Sequence, residues 1–191
     1  MILPLLTALL VTAAATPGPL EVVKAGNTDV QKVASAKSAT AAQLSTVVER
    51  FVDFGELSRR ALGATWNKLT PAQRQDFSST MEGLLRASYA KRALGQGKAQ
   101  VQYGEESIQG NDARVSTKVK INRGEPYPVD YKLYRADDKG GWRIYDVVTD
   151  DVSLLDTYQE QFQKLLSTKG FDGLLATLKS KRAQLEKTLV P

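Results

Sequence analysis

The sequence predicts an α+β fold, and three observations predict it. Apolar residues recur at helical spacing from Leu44 to Tyr89, alternate as strand residues do from Val115 to Leu133, and return to helical spacing after Ser153. The strands follow one another without intervening helices, which favours antiparallel pairing over parallel crossovers. At 191 residues the chain can bury one core but hardly two.

The elements follow in order. Residues 1–15, MILPLLTALLVTAAA, carry no charged side chain and end in Ala13-Ala14-Ala15, ahead of Thr16-Pro17-Gly18-Pro19. That run is too short to span a bilayer, which takes about 20 residues. It has the shape of a secretory signal peptide cleaved after Ala15. No Lys or Arg precedes it, and a buried N-terminal helix is the alternative reading. Residues 16–43 read as a linker and N-terminal arm. Pro17, Gly18, Pro19 and Gly26 interrupt the first part, and Val30 to Ala42 is rich in Ala, Ser and Lys.

A single domain is expected over 44–191. Leu44, Val47, Val48 and Phe51 share one helical face. Asp53 and Glu56 form a D-x-x-E box in front of a second helix that stops near Gly63. Thr70-Pro71-Ala72-Gln73 supplies a cap, a first-turn proline and a reciprocal Gln for a third helix carrying Phe77, Met81, Leu84, Leu85 and Tyr89. Ala99 to Tyr103 reads as a short strand, with Ser107-Ile108 in another. In the next strand Val115, Thr117, Val119 and Ile121 alternate with Arg114, Ser116, Lys118 and Lys120. Asn122 to Pro126 is a turn. Val129, Tyr131 and Leu133 then alternate with Asp130, Lys132 and Tyr134, and the polar loop Ala136 to Gly141 suits a hairpin. Trp142 to Val148 has the aromatic and β-branched content of a strand. Ser153 and Asp156 cap a helix whose Leu154, Leu155, Tyr158, Phe162, Leu165 and Leu166 form one face; Gly170 closes it, and Asp172 starts a last helix with Leu174, Leu175, Leu178 and Leu185.

Composition removes whole classes of chemistry. The chain has no cysteine and no histidine, so Ser-His-Asp and Cys-His catalysis, thiolate zinc and His-based metal sites are excluded. An enzyme here would have to work with Asp, Glu, Lys, Arg or Tyr alone, and no metal or cofactor is expected. The net charge of +5 comes without a run of five basic residues, which fits a solvated surface better than a nucleic-acid site; attraction to anionic lipid or to an acidic partner stays open. Gly95-Gln96-Gly97 lacks the strand and third glycine of a dinucleotide fingerprint. The carboxylate pairs Asp137/Asp138 and Asp150/Asp151 flank turns or a helix start and read as loop and cap. Tyr127, Tyr131, Tyr134, Trp142, Tyr145, Tyr158 and Phe162 suit either a plain core or a cavity that holds an apolar ligand.

Several of these stretches resemble one family. Phe54 to Gly63 (FGELSRRALG), Trp66 to Arg74 (WNKLTPAQR), Phe77 and Leu84-Leu85 to Tyr89 are similar to the first half of the MlaC (toluene-tolerance, Ttg2-type) periplasmic phospholipid-binding proteins. Pro128 to Leu133, Gly141 to Val148, Val152 to Leu154, Tyr158 to Phe162 and Gly170 to Leu175 are similar to the second half, in the same order. The resemblance covers about 44–180. Gln159 departs from it, since the family often carries Arg after the tyrosine that matches Tyr158.

The resemblance implies a curved antiparallel sheet packed against several helices, with an apolar cavity between them. It implies a non-enzymatic carrier in the periplasm. Such a carrier would shuttle phospholipid between an outer-membrane lipoprotein complex and an inner-membrane ABC transporter with an MCE-domain protein, without nucleic acid and without stable membrane insertion. On that reading the candidate cavity lining is Leu85, Tyr89, Val119, Val129, Tyr131, Trp142, Ile144, Val148, Leu155, Tyr158 and Phe162. A headgroup would sit at the mouth, where Lys or Arg can meet phosphate. Two other classes compete: a small pocket enzyme of the dehydratase or isomerase type using Asp130 or Asp146, and an adaptor with a solid core.

Overall fold

The computed structural model describes residues 16–36, 38–95, 99–135 and 141–187, with side chains described except at 89–95. The expected signal peptide, 1–15, and the loop over 136–140 lie outside the described residues. The elements are α1 (Pro19–Ala34), α2 (Ala41–Val48), α3 (Phe54–Leu62), a 3-10 turn (Gly63–Lys68), α4 (Pro71–Gly95), β1 (Ala99–Gln109), β2 (Asp112–Ile121), β3 (Tyr127–Tyr134), β4 (Arg143–Thr149), β5 (Val152–Ser153) and α5 (Leu154–Lys187). The strands form one five-stranded sheet in the order β1-β2-β3-β4-β5. Every neighbour is antiparallel, so the fold is α+β as expected.

The caps decide where the helices begin. Thr70 and Gln73 bond reciprocally, with Thr70 N–H to Gln73 Oε1 at 2.9 Å and Gln73 N–H to Thr70 Oγ1 at 3.2 Å. A second capping box, Thr40 with Gln43, starts α2. At α3, Asp53 accepts from Glu56 N–H at 2.9 Å, but Glu56 does not reach back. Asp53 N–H already donates to Ile144 O at 2.7 Å, and the Glu56 carboxylate turns to Arg59 and Arg60 instead. Gly63 follows at φ 54, a left-handed turn that glycine adopts without strain.

Two expectations are corrected. The stretch 16–28 is not a linker: from Pro19 it is helix α1, which runs through to Ala34 and buries Val23, so the folded unit begins well before Leu44. Ala99–Tyr103 and Ser107–Ile108 are one strand. The pairing of β1 with β2 slips between Tyr103 and Glu106, a bulge that absorbs the extra residue without ending the strand. Gly170 closes the Ser153 helix as expected, with φ 67 and ψ −174. The last helix resumes at once, so α5 consists of two limbs, 154–169 and 171–187, that meet at this kink.

Two apolar clusters result. One lies among α3, α4 and α5, centred on Phe77, Met81, Leu84, Phe162 and Leu174, and touches the sheet through Tyr145. The other lies between α1 and the sheet and joins Val23 to Val115, Leu133, Trp142 and Ile144.

Candidate functional site

Strand alternation builds the apolar sheet face. Pairing of β2 with β3 sets Ala113 opposite Leu133, Val115 opposite Tyr131, Thr117 opposite Val129 and Val119 opposite Tyr127. Side chains at these matched positions point the same way, and Ala113, Val115, Thr117 and Val119 are all buried. The intervening residues give the opposite face its charge, with Arg114 paired to Asp130 and Lys132 to Asp146.

Helix α1 lies over part of the apolar face. Val23 packs into it with Leu20 and Val22 at its flank. A notch at Gly26 admits the Phe51 ring, where a Cβ would meet a ring carbon at 3.2 Å. The remaining ties are polar and few. Leu20 N–H donates to Glu106 Oε1 at 2.8 Å, and Tyr131 Oη–H donates to Asn27 Oδ1 at 3.1 Å. Lys24 sits 5.6 Å from the Tyr103 ring centroid, and Arg50 meets Asp29 at 2.9 Å. Burial pushes the Tyr131 phenol up to about 12.

The expected lining residues divide between the two clusters. Leu85, Leu155, Tyr158 and Phe162 belong to the helical one. Trp142 and Ile144 belong to the sheet cluster, with Tyr131 packed against it. Val119 and Val129 are buried and share the same sheet face. Val148 does not. It pairs with Asp130, on the charged face, and Val147 takes the apolar position beside Tyr131. The cause is a register shift that lets Lys132 pair with Asp146 and Leu133 with Ile144, leaving Tyr145 as the extra residue. The Tyr89 side chain lies outside those described.

The same extra residue links the clusters. Tyr145 carries the Arg60 guanidinium 3.8 Å from its ring centroid, a cation–π contact. Arg60 also binds Glu56 at 2.7 Å and Asp112 at 3.2 Å. Burial pushes the Glu56 carboxyl up, but its hydrogen bonds and charge interactions with Arg59 and Arg60 outweigh that and hold it below its ordinary value. Gln159 donates from Nε2 to Arg60 O at 3.0 Å, so it joins α5 to the end of α3.

The carboxylates of the enzyme reading have other duties. Asp146 is 1% exposed and accepts from Ser153 Oγ at 2.7 Å, from Leu155 N–H at 2.9 Å and from Lys132 Nζ at 2.9 Å. These bonds fasten the start of α5 to the sheet. Asp130 is held by Arg114.

Two open grooves flank these faces. One, about 590 Å³, runs over the charged face, lined by Glu105, Ser107, Gln109, Arg114, Lys132 and Tyr145 among others. The other, about 570 Å³, lies between α1 and α2, with Val33, Ala36 and Val47 apolar and Asp29, Lys32 and Arg50 charged. Both fall in the size range of small-molecule sites, roughly 300–1,000 Å³. Reasoning from the sequence missed the second groove, because its α1 wall was read as arm. The available signal was Leu20, Val22, Val23 and Val30.

Comparison with known proteins places the chain among relatives. The family model for MlaC protein matches residues 20–180, so the match includes α1. The intermembrane phospholipid transport system binding protein MlaC of Haemophilus influenzae is 24% identical over 137 residues, 70% of this chain and 64% of that protein. The toluene tolerance protein ttg2D of Pseudomonas putida is 25% identical over 138 residues, 68% of this chain and 60% of that protein. The matched region spans less than two thirds of either relative. A solved structure of a phospholipid-binding protein from Ralstonia solanacearum, in complex with a phospholipid, superposes with a TM-score of 0.74 at 26% identity, covering 86% of this chain and 94% of that one.

Proposed function

The chain belongs to the MlaC family, and on that premise we propose that it is a lipid-binding transport protein of the periplasm. It holds phospholipid acyl chains in its interior and carries them between an outer-membrane lipoprotein complex and an inner-membrane ABC transporter with an MCE-domain protein. The observation that carries this reading is the likeness to the phospholipid complex, which extends over 94% of that chain. Each buried methylene is worth roughly 0.8 kcal/mol, so a fatty chain of about sixteen carbons costs on the order of 12 kcal/mol in water. A carrier must hide such a chain almost completely, and hiding it requires apolar area rather than a reactive group.

We assign the chains to the apolar sheet face, with Val119, Val129 and Tyr131 against them. Trp142 and Ile144 border that space. Leu85, Leu155, Tyr158 and Phe162 serve chiefly to hold the helices together. Among the described residues no helix is long and apolar enough to cross a membrane.

The test is mass spectrometry of organic extracts from the purified protein. Stoichiometric phospholipid is expected in the wild type. Val129→Trp and Val119→Trp are expected to lose it while circular dichroism keeps the folded signature. A wild-type protein free of lipid, or two folded variants with unchanged lipid, overturns the proposal.

A further inference from the structure

The two grooves are nearly equal in size, but their charges are engaged differently. In the one over the charged face, Arg114 is held by Asp130 and Lys132 by Asp146, and Glu105 and Asp112 add two more carboxylates. Both of its lining cations are already neutralised. The groove of about 570 Å³ between α1 and α2 is built otherwise. Asp29, Lys32, Val33 and Ala36 recur at i, i+3, i+4 and i+7, and so do Gln43, Thr46, Val47 and Arg50 across from them. That spacing puts each set on one helical stripe, and both stripes line the same groove. Val33, Ala36 and Val47 supply its apolar part, and Lys32 and Arg50 its positive charge. Lys32 has no ion pair among the described residues. Arg50 has a single one, to Asp29 at 2.9 Å, and both partners are open to solvent. The Arg50 guanidinium also lies 5.6 Å from the Phe51 ring centroid, and Phe51 packs against the apolar sheet cluster. Arg50 and Phe51 thus link this groove to the sheet face assigned to the acyl chains.

We propose that the α1–α2 groove receives the phosphate of the bound lipid's headgroup, with Lys32 and Arg50 as the residues that select for it. The inference rests on the carrier reading and deepens it, since that reading leaves the headgroup without a place. A phosphate between the two cations gains charge-assisted hydrogen bonds from both, and the Arg50 fork suits two of its oxygens. Arg50 gives up only a solvent-exposed pair with Asp29, of a kind that contributes little. The carbons next to the phosphate meet Val33, Ala36 and Val47, so the groove fits an amphiphile rather than a free ion. A lipid with the same tails and no phosphate gains nothing from the cations, which makes the groove a source of selectivity.

The experiment incubates the purified chain with vesicles carrying equal phosphatidylglycerol and diacylglycerol, re-isolates it and measures both lipids by mass spectrometry. The wild type is expected to take up phosphatidylglycerol in preference. In the double variant Lys32→Gln with Arg50→Gln that preference falls at least about tenfold, the loss of one charge-assisted hydrogen bond, while diacylglycerol uptake stays. Asp29→Asn breaks the same ion pair but frees Arg50, so it keeps or raises the preference; a fall there shows that the pair merely holds α1 and overturns the assignment. Arg114→Gln in the other groove leaves the preference unchanged, and a fall equal to that of the double variant overturns the assignment too. An unchanged preference in the double variant, or loss of both lipids from it, overturns the headgroup site and leaves the carrier reading standing. A wild type that takes up neither lipid overturns both. Inorganic phosphate in place of chloride, at matched ionic strength, leaves the wild-type preference intact; its loss marks a free-anion site and overturns the assignment.

Discussion

The helical cluster and the seam beneath α1 are both apolar, but they are held differently. In the first, Phe162 is fully buried, with ring centroids 5.6 Å from Phe77 and 5.5 Å from Tyr158. Contacts come from three helices and from Tyr145. In the second, one helix with a single fully buried side chain, Val23, rests on a sheet and is pinned by isolated polar contacts. Close packing resists any change of volume, whereas a surface held by a few exchangeable bonds opens at low cost. The comparison assigns stability to the helical cluster and movement to the seam.

Substitutions can break that division, beginning with the largest expected effect. Phe162→Ala leaves a cavity in the helical cluster and should cost about 3–5 kcal/mol in urea unfolding; a loss below about 1 kcal/mol would show that this core is loose. Asp146→Ala strands Leu155 N–H and Lys132 beside a buried site and should cost about 3 kcal/mol, read as a lower melting temperature. Tyr131→Phe removes one tie to α1 and should cost only about 1 kcal/mol. It also sharpens the comparison at alkaline pH. Because the folded phenol is raised from 10 to about 12, its contribution is whole below pH 10 and is lost as pH rises toward 12. The Phe variant should lose that part of the decline. Asp29→Asn, at a pair with both partners solvent-exposed, should shift stability by less than about 0.5 kcal/mol.

How much of this was visible in the sequence follows from what each signal reports. Caps are local chemistry, so Asp53, Thr70 and Ser153 marked three helix starts that the structure repeats. Helix α1 was missed because Gly26, Asn27, Thr28 and Asp29 sit in its middle, a run of weak helix formers. Packing of Val23 on the sheet and of Phe51 into the Gly26 notch overrides that preference. Periodicity reports that a residue is buried, not what buries it. It therefore found Leu85 and Phe162 together with Trp142 and Ile144 but could not tell that they belong to different clusters. Along β4, one extra residue at Tyr145 was enough to exchange Val148 for Val147. No two-residue pattern can register a slip that is defined only by the neighbouring strand.

The Asp146 carboxylate gives the two seams unequal freedom. It is shared by β3 through Lys132, by β5 through Ser153 and by α5 through Leu155. Prising the first limb of α5 from the sheet would take the Leu155 N–H from a carboxylate that is 1% exposed and pull on Ser153 beside it, leaving Lys132 to balance a charge that water does not reach. That joint is welded. Whatever breathing the molecule undergoes is steered to the opposite side, where the hinge is a helix with a soft middle and the latch is a handful of bonds that solvent can replace one by one.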